Sequence, residues 1–379
     1  TMSEGIQKLA GSKLQSILAK ATSNRFAGVL TGFTTTSIIQ SSSATTVMVV
    51  SFVNAGLLNL RQAIGVIMGA NIGTTVTSFL LLAFGFGKFS ISDYSLPIIA
   101  FGMPMLFLNR SFFKSLGEFL IGFAILFMGL DALKEVMSFI KEDPNFLYNV
   151  VEPLTSYGFM SVILFVFIGT VLTIIVQSSS AAMAITLALC GGNGLPLEYG
   201  AAIILGENIG TTITAYLASM IGNVHAKRAA RAHFLFNIIG VIWMLVVFYP
   251  FLDLINFMIT DTFFSALVKD GDKTSSIQWS LAVFHLIFNL INTFLLIWFV
   301  GYLEKLVVKL VPSKDDSDEE FKLDFIGGPM GSTAELCILE AKKEVSKFGS
   351  VASRMNSFVK TIINSADKKL KKKLFKKLG

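Results

Sequence analysis

The sequence predicts an all-α polytopic membrane protein made of two inverted repeats. Each repeat has a re-entrant helical hairpin and a broken transmembrane helix, and a cytoplasmic helical segment follows. Three observations carry this reading. The chain is 53% hydrophobic and 15% charged, with a mean hydropathy of +0.68, too little charge to cover a soluble surface. A block also occurs twice at an offset of 137 residues: Gln40–Ala44 (QSSSA) returns as Gln177–Ala181, and Gly69–Thr77 returns as Gly206–Thr214, with seven of nine positions identical. Both copies are polar, glycine-containing interruptions of strongly apolar segments, the pattern of a carrier whose site lies between related halves.

The elements follow in order. Residues 1–24 alternate apolar and basic positions at helical spacing, as an amphipathic surface helix would. Residues 25–130 form the first repeat. Its segments 25–40 and 43–57 are about 15 residues each, too short to span a ~30 Å core, so 25–57 reads as a re-entrant hairpin. Residues 60–87 are long enough to span but carry Gly69, Asn71 and Gly73 in the middle, which reads as two half-helices with an unwound joint at Ala70–Gly73. Spans are expected at 94–109 and 115–133.

Residues 131–303 form the second repeat and final span. It comprises a second surface helix at 131–150, a hairpin at 157–192, a broken helix at 197–221, and spans at 234–258 and 279–303. Three crossings between the hairpins is an odd number, so the halves face opposite ways. Basic residues concentrate on the side that holds the N-terminus (Arg25, Arg61, Arg110, Lys227, Arg228, Arg231), which places both termini in the cytoplasm. Residues 304–332 are a linker containing the charged run Lys314–Glu320. From 333 to 379, Ile338, Val345, Phe348, Met355, Val359 and Ile362 follow a three-four spacing, a helix with one apolar seam.

Hydroxyl and amide side chains inside a bilayer are expensive unless paired or functional. Ser41, Ser42 and Ser43 are placed to cap the return helix of the first hairpin. Thr74 and Thr75 are placed to cap the second half of the first broken helix. Ser178, Ser179, Ser180, Thr211 and Thr212 repeat the arrangement. Helix N-termini attract anions, and no Lys or Arg lies in either motif, so an anion held there remains releasable. The oxygens of Gln40, Gln177, Asn71 and Asn208 are hard ligands suited to a small cation such as Na⁺. Glu207 replaces Ala70 of the first copy; it is a candidate cation ligand, proton carrier or partner for a helix end. His233 with Asn237, and His285 with Asn289, are placed to bridge helices near the site. The bland alternative, serines and threonines that only join neighbouring helices, weakens when two motifs are duplicated in register. Hydrolytic motifs are absent, and Cys190 and Cys337 provide no disulfide framework.

With these residues the chain resembles the type II sodium-dependent phosphate cotransporter family, in particular bacterial members with a C-terminal PhoU-like domain. The match lies in Gln40–Ser43, Gln177–Ser180, Gly69–Thr74 and Gly206–Thr211, and extends over roughly residues 2–310. The resemblance implies Na⁺-coupled transport of inorganic phosphate across the cell (inner) membrane, with no other cofactor. By carry-over, Ser41–Ser43, Ser178–Ser180, Asn71, Asn208, Thr74 and Thr211 line the phosphate site. Gln40, Gln177, Thr75, Thr212 and Glu207 are the sodium candidates. The chain, whose first residue is Thr1, looks shortened at both ends relative to such members. Homodimer formation and direction of transport are left open. A carrier of another oxyanion or dicarboxylate, and a membrane phosphate sensor, are the competing readings; flux separates the sensor from a carrier.

Overall fold

The structure, a computed structural model, describes residues 24–86, 91–142, 151–190, 194–261 and 273–313, with isolated positions elsewhere, including several between 342 and 363. The surface helix expected at residues 3–22 lies outside the described residues, as does most of 333–379. Every regular element described is helical. In the first repeat these are α1 (Arg25–Ile39), α2 (Ser42–Asn54), α3 (Leu60–Leu81), α4 (Ser95–Met105) and α5 (Ser111–Glu142). A one-turn helix, α6 (Glu152–Thr155), leads to α7 (Phe159–Val176), α8 (Ser179–Cys190), α9 (Leu197–Gly210) and α10 (Thr212–Met220). The chain continues through α11 (Val224–Val246), α12 (Phe248–Asp261), α13 (Lys273–Leu296) and α14 (Val300–Leu310).

The 137-residue offset holds for the elements. Advanced by 137, α1, α2 and α3 fall on α7, α8 and the α9–α10 pair. The joints match as well. Gln40 and Gln177 both take the left-handed conformation, at φ 58° and 54°, the only non-glycine residues to do so among those described. Each closes its helix by donating its N–H to Thr36 O (2.7 Å) or Thr173 O (2.8 Å).

The expected break in the first repeat is absent. α3 runs unbroken through Gly69, Asn71 and Gly73, and Asn71 Nδ2 donates to Ile67 O at 3.1 Å within the same helix. In the second repeat the interruption shrinks to Thr211, whose N–H still bonds Glu207 O at 3.0 Å. The glycines have a different purpose. Gly65, Gly69 and Gly73 recur every four residues, so they form one stripe of α3, and that stripe lies on the backbone of α1. A Cβ on Gly69 would sit 1.9 Å from Val29 O, and one on Gly32 of α1 would sit 2.0 Å from Val66 O. The second repeat does the same: Gly206 would meet Val166 O at 2.0 Å and Gly169 would meet Ile203 O at 2.2 Å. Small residues let helices approach to backbone contact where lipid provides no hydrophobic drive between them.

Six helical stretches among the described residues are long and apolar enough to cross a bilayer: Leu60–Phe86, Ser111–Ser138, Phe159–Val176, Leu197–Met220, Val224–Val246 and Thr274–Leu310. They are not the set the sequence predicts. The span expected at 94–109 is only the 11-residue α4, about 16 Å long. Pro97 lies in its first turn and Pro104 near its end, and proline limits a helix at both ends. The expected span 234–258 divides at Val247, with Pro250 in the first turn of α12. Positions 131–142 continue α5 rather than start a surface helix. α7, expected as half of a hairpin, has 18 residues and meets the length for crossing. Described residues of the tail seam, Val345, Phe348, Met355 and Val359, are exposed; Ile362 is buried.

If the glycines serve contact rather than bending, Gly69→Ala and Gly206→Ala should each lower thermal stability, by about 1–3 kcal/mol for overpacking. Gly129→Ala and Gly301→Ala, whose Cβ would meet nothing within 4 Å, should be neutral or slightly stabilising. Thermal unfolding of the four variants in detergent measures this. Unchanged stability of the first pair would return these glycines to a hinge role.

Candidate functional site

A small polar cavity lies where the two repeats meet. Asn71, Thr74, Thr77 and Ser78 line it from α3, Ser179, Ser180 and Met183 from α8, Glu207, Asn208 and Thr211 from α9 and its end, and His285 from α13. The free space inside is about 10 Å³, about what one water needs. No Lys or Arg lines it.

Each wall has its own chemistry. α8 presents its N-terminus. Ser178 Oγ accepts from Ala181 N at 3.2 Å and Ser178 O accepts from Ala182 N at 3.0 Å, while the N–H groups of Ser179 and Ser180 precede the first intrahelical bond. Thr211 Oγ1 is buried without a partner. These are donors. On the opposing helices, Asn71 and Asn208 spend their amide nitrogens on Ile67 O and Ile204 O, at 3.1 and 3.0 Å. That leaves each Asn its carbonyl oxygen and one further N–H. Glu207 is 3% exposed, and Thr186 Oγ1 donates to its Oε1 at 2.6 Å, fixing α8 to α9. Ser78 Oγ lies 3.3 Å from His285 Nδ1, tying α3 to α13.

Of the candidates from sequence, Asn71, Thr74, Ser179, Ser180, Glu207, Asn208 and Thr211 line the cavity. The others do not. Thr75 and Thr212 donate back to Ile72 O and Ile209 O, both at 2.7 Å, as backbone-bonded helix residues. Gln40 belongs to the joint: its Nε2 donates to Ser37 O, and its Oε1 accepts from Thr77 at 3.0 Å. Gln177 holds the equivalent position after α7. Ser41 Oγ caps α2 through Ala44 N at 3.2 Å, Ser43 O accepts from Thr46, and Ser42 Oγ is buried and unpartnered outside the lining. His233 and Asn237 are buried, and Asn237 donates to His233 O along the helix rather than to the ring; Asn289 does the same with His285 O. Thr77, Ser78 and Met183 were missed. A signal existed for the first two: Thr77 ends the repeated block, and both it and Ser78 lie one helical turn after Thr74 on the same face.

The first joint rests on a hydroxyl pair. Thr36 Oγ1 donates to Thr45 Oγ1 at 3.0 Å, both fully buried, and Thr45 Oγ1 donates on to Ser41 O at 3.1 Å. The second repeat has Ala182 at the position equivalent to Thr45 and relies on the Thr186–Glu207 bond instead.

Six helical stretches long enough to cross a bilayer, with a buried polar cavity among them, fit a membrane transporter. The chain matches the Na⁺/Pi-cotransporter family over residues 1–135 and 146–263 and belongs to it. It is 30% identical over 316 residues to uncharacterized protein YqeW of Bacillus subtilis, covering 82% of this chain and 93% of that protein. It is 24% identical over 363 residues to putative inorganic phosphate export protein YjbB of Salmonella typhimurium, covering 95% of this chain and 62% of that protein. It therefore spans less than two thirds of the export protein. Against sodium-dependent phosphate transport protein 2A of Ovis aries the identity is 44% over 77 residues, 20% of this chain and 12% of that protein. No solved structure matches.

Thr45→Val would strand the Thr36 hydroxyl in the core, at a cost of about 1–3 kcal/mol. Adding Thr36→Val should recover part of that loss. Thermal unfolding of the two single variants and the double variant checks it; additive losses would remove the pair from the joint.

Proposed function

We propose that this chain carries inorganic phosphate across the membrane, coupled to Na⁺, by alternating access. The observation that carries the proposal is the cavity, where Asn71 and Thr74 of one motif copy meet Ser179, Ser180, Asn208 and Thr211 of the other with no Lys or Arg among them. The family and the phosphate-related names of two relatives support the substrate. Phosphate takes the donor wall: the α8 N-terminus, the Ser179 and Ser180 hydroxyls and Thr211. Na⁺ takes the oxygen wall: Glu207 with the Asn71 and Asn208 carbonyls. The cation offsets the repulsion between Glu207 and phosphate, so each ion favours entry of the other. That mutual dependence is the coupling.

About 10 Å³ admits a water but not phosphate, so this conformer is a closed one, and loading requires the walls to separate. α2 and α8, shorter than a span and held by left-handed joints, are the elements to move. The inverted arrangement makes each opening to one side the counterpart of an opening to the other. Both termini lie in the cytoplasm.

Reconstituted into liposomes, the chain should move phosphate faster with a Na⁺ gradient than without. Binding without flux would favour a sensor, and equal competition by sulfate or a dicarboxylate would favour a broader anion carrier. Ser179→Ala and Thr211→Val should each weaken phosphate binding about tenfold to a hundredfold, the value of a hydrogen bond to a charged group. Glu207→Gln should abolish the Na⁺ dependence of that binding. Calorimetry with and without Na⁺ reads both; a full sodium response in the Glu207 variant would move the cation elsewhere.

A further inference from the structure

A second cleft lies outside the central site. Its volume is about 580 Å³, and its walls include Arg25, Arg61, Lys305, Trp298 and Tyr302. Two helix N-termini open on it. Asn24 caps α1 by accepting from Ala27 N at 2.9 Å, and Asn59 caps α3 by accepting from Gln62 N at 2.9 Å. The positive ends of two helix dipoles thus join three cationic side chains. Glu304, which pairs with Arg61 Nε, is the acidic neighbour and does not line the cleft.

Arg25 is held in place. Its guanidinium carbon lies 5.4 Å from the Phe26 ring centroid and 5.1 Å from that of Trp298, and its Nη1 donates to Ile297 O at 3.2 Å. That bond uses one of five guanidinium N–H donors. Lys305 lies 5.9 Å from the Tyr302 ring centroid. Around these cations the apolar surface is uncovered: Phe26, Trp298, Phe299 and Tyr302 are each half-exposed or more. Cations at a cleft with exposed aromatic rings beside them match a molecule that is anionic at one end and apolar at the other.

Depth agrees. Arg61 precedes Asn71 of the central cavity by ten residues of unbroken helix, about 15 Å, which is half a bilayer core. Trp298 follows His285 by 13 residues, about 20 Å. The last stretch, Thr274–Leu310, has 37 residues where about 20 suffice; its helix gives way to a 3₁₀ turn at Ile297–Phe299, and α14 continues beyond. The cleft therefore lies where the helices leave the hydrocarbon, on the side the basic residues mark as cytoplasmic. That leaflet is the one with anionic lipids, and Trp and Tyr are the rings that favour this depth.

We propose that this cleft binds the phosphodiester headgroup of an anionic phospholipid, with Arg25, Arg61 and Lys305 on the phosphate and the exposed aromatic face against the acyl chains. One lipid then ties α1 and α3 of the first repeat to α14. The proposal is independent of the central site and of its substrate.

Native mass spectrometry of the chain released from mixed micelles containing phosphatidylglycerol and phosphatidylcholine tests it. The wild type should retain phosphatidylglycerol in preference to phosphatidylcholine. Arg25→Gln and Lys305→Gln should each reduce that preference about fivefold, the effect of one basic residue near an anionic surface. Lys305 is exposed on α14, so its variant leaves folding intact, and a preference unchanged in that variant would overturn the proposal. So would displacement of phosphatidylglycerol by millimolar inorganic phosphate in the wild type, which would make the cleft a site for the free ion.

Discussion

The contact between α1 and α3, and its copy between α7 and α9, is the constraint on which the rest depends. At Gly32, Gly69, Gly169 and Gly206 the partner backbone lies where a Cβ would be. Helices that close cannot slide or rotate without collision, so each repeat has a rigid two-helix spine. The spine fixes the depth of Asn71 and Asn208, one helical turn or less from the contact glycines. In the proposed alternating access, α2 and α8, which lie outside this spine, are the parts to shift, so motion and rigidity would fall to different helices of the same repeat.

Under the proposed function, the cavity would gain its selectivity from what it lacks as much as from what it holds. A fixed cation beside phosphate would raise affinity but slow release. Helix N–H groups and hydroxyls provide weaker, shorter-range attraction that a small displacement undoes. Glu207 sharpens this. As the proposed cation ligand it would make an empty site unattractive to an anion until a cation arrives, and Thr186 donates to its Oε1. The two repeats thus share a backbone plan while differing in charge, so the site is two-sided although its scaffold is nearly symmetric.

Much of this was legible in the chain. The duplicated QSSS and Gly-x-Asn-Ile-Gly-Thr blocks located both joints, and seven of the candidate residues reach one cavity. The main misreading concerned Gly69 and Gly73. Glycine inside an apolar helix has two uses, bending and close approach, and the local sequence is the same for both. What distinguishes them is the partner: Gly28 and Gly32 on α1 have the matching four-residue spacing, a pairing visible only when two segments are compared. At 94–109 and 234–258 the apolar run does not coincide with one helix, α4 having 11 residues and the second run dividing at Val247, because such a run records where lipid is tolerated, not where the helix axis turns. Gln40 was read as a cation ligand; in the structure its oxygen accepts from Thr77, 37 residues away, a partner no local pattern reveals.

The left-handed joints at Gln40 and Gln177 have a consequence for how such a protein tolerates change. The conformation costs a side-chain-bearing residue about 1–2 kcal/mol, and glycine would adopt it freely. Glycine would also allow many other angles. A glutamine whose side chain is fastened to Ser37 and Thr77 accepts one bend and resists the rest, so the angle at which α2 leaves the α1–α3 spine is set at a single residue. Backbone strain there is exchanged for one defined angle, and a glycine joint would be a less directed one.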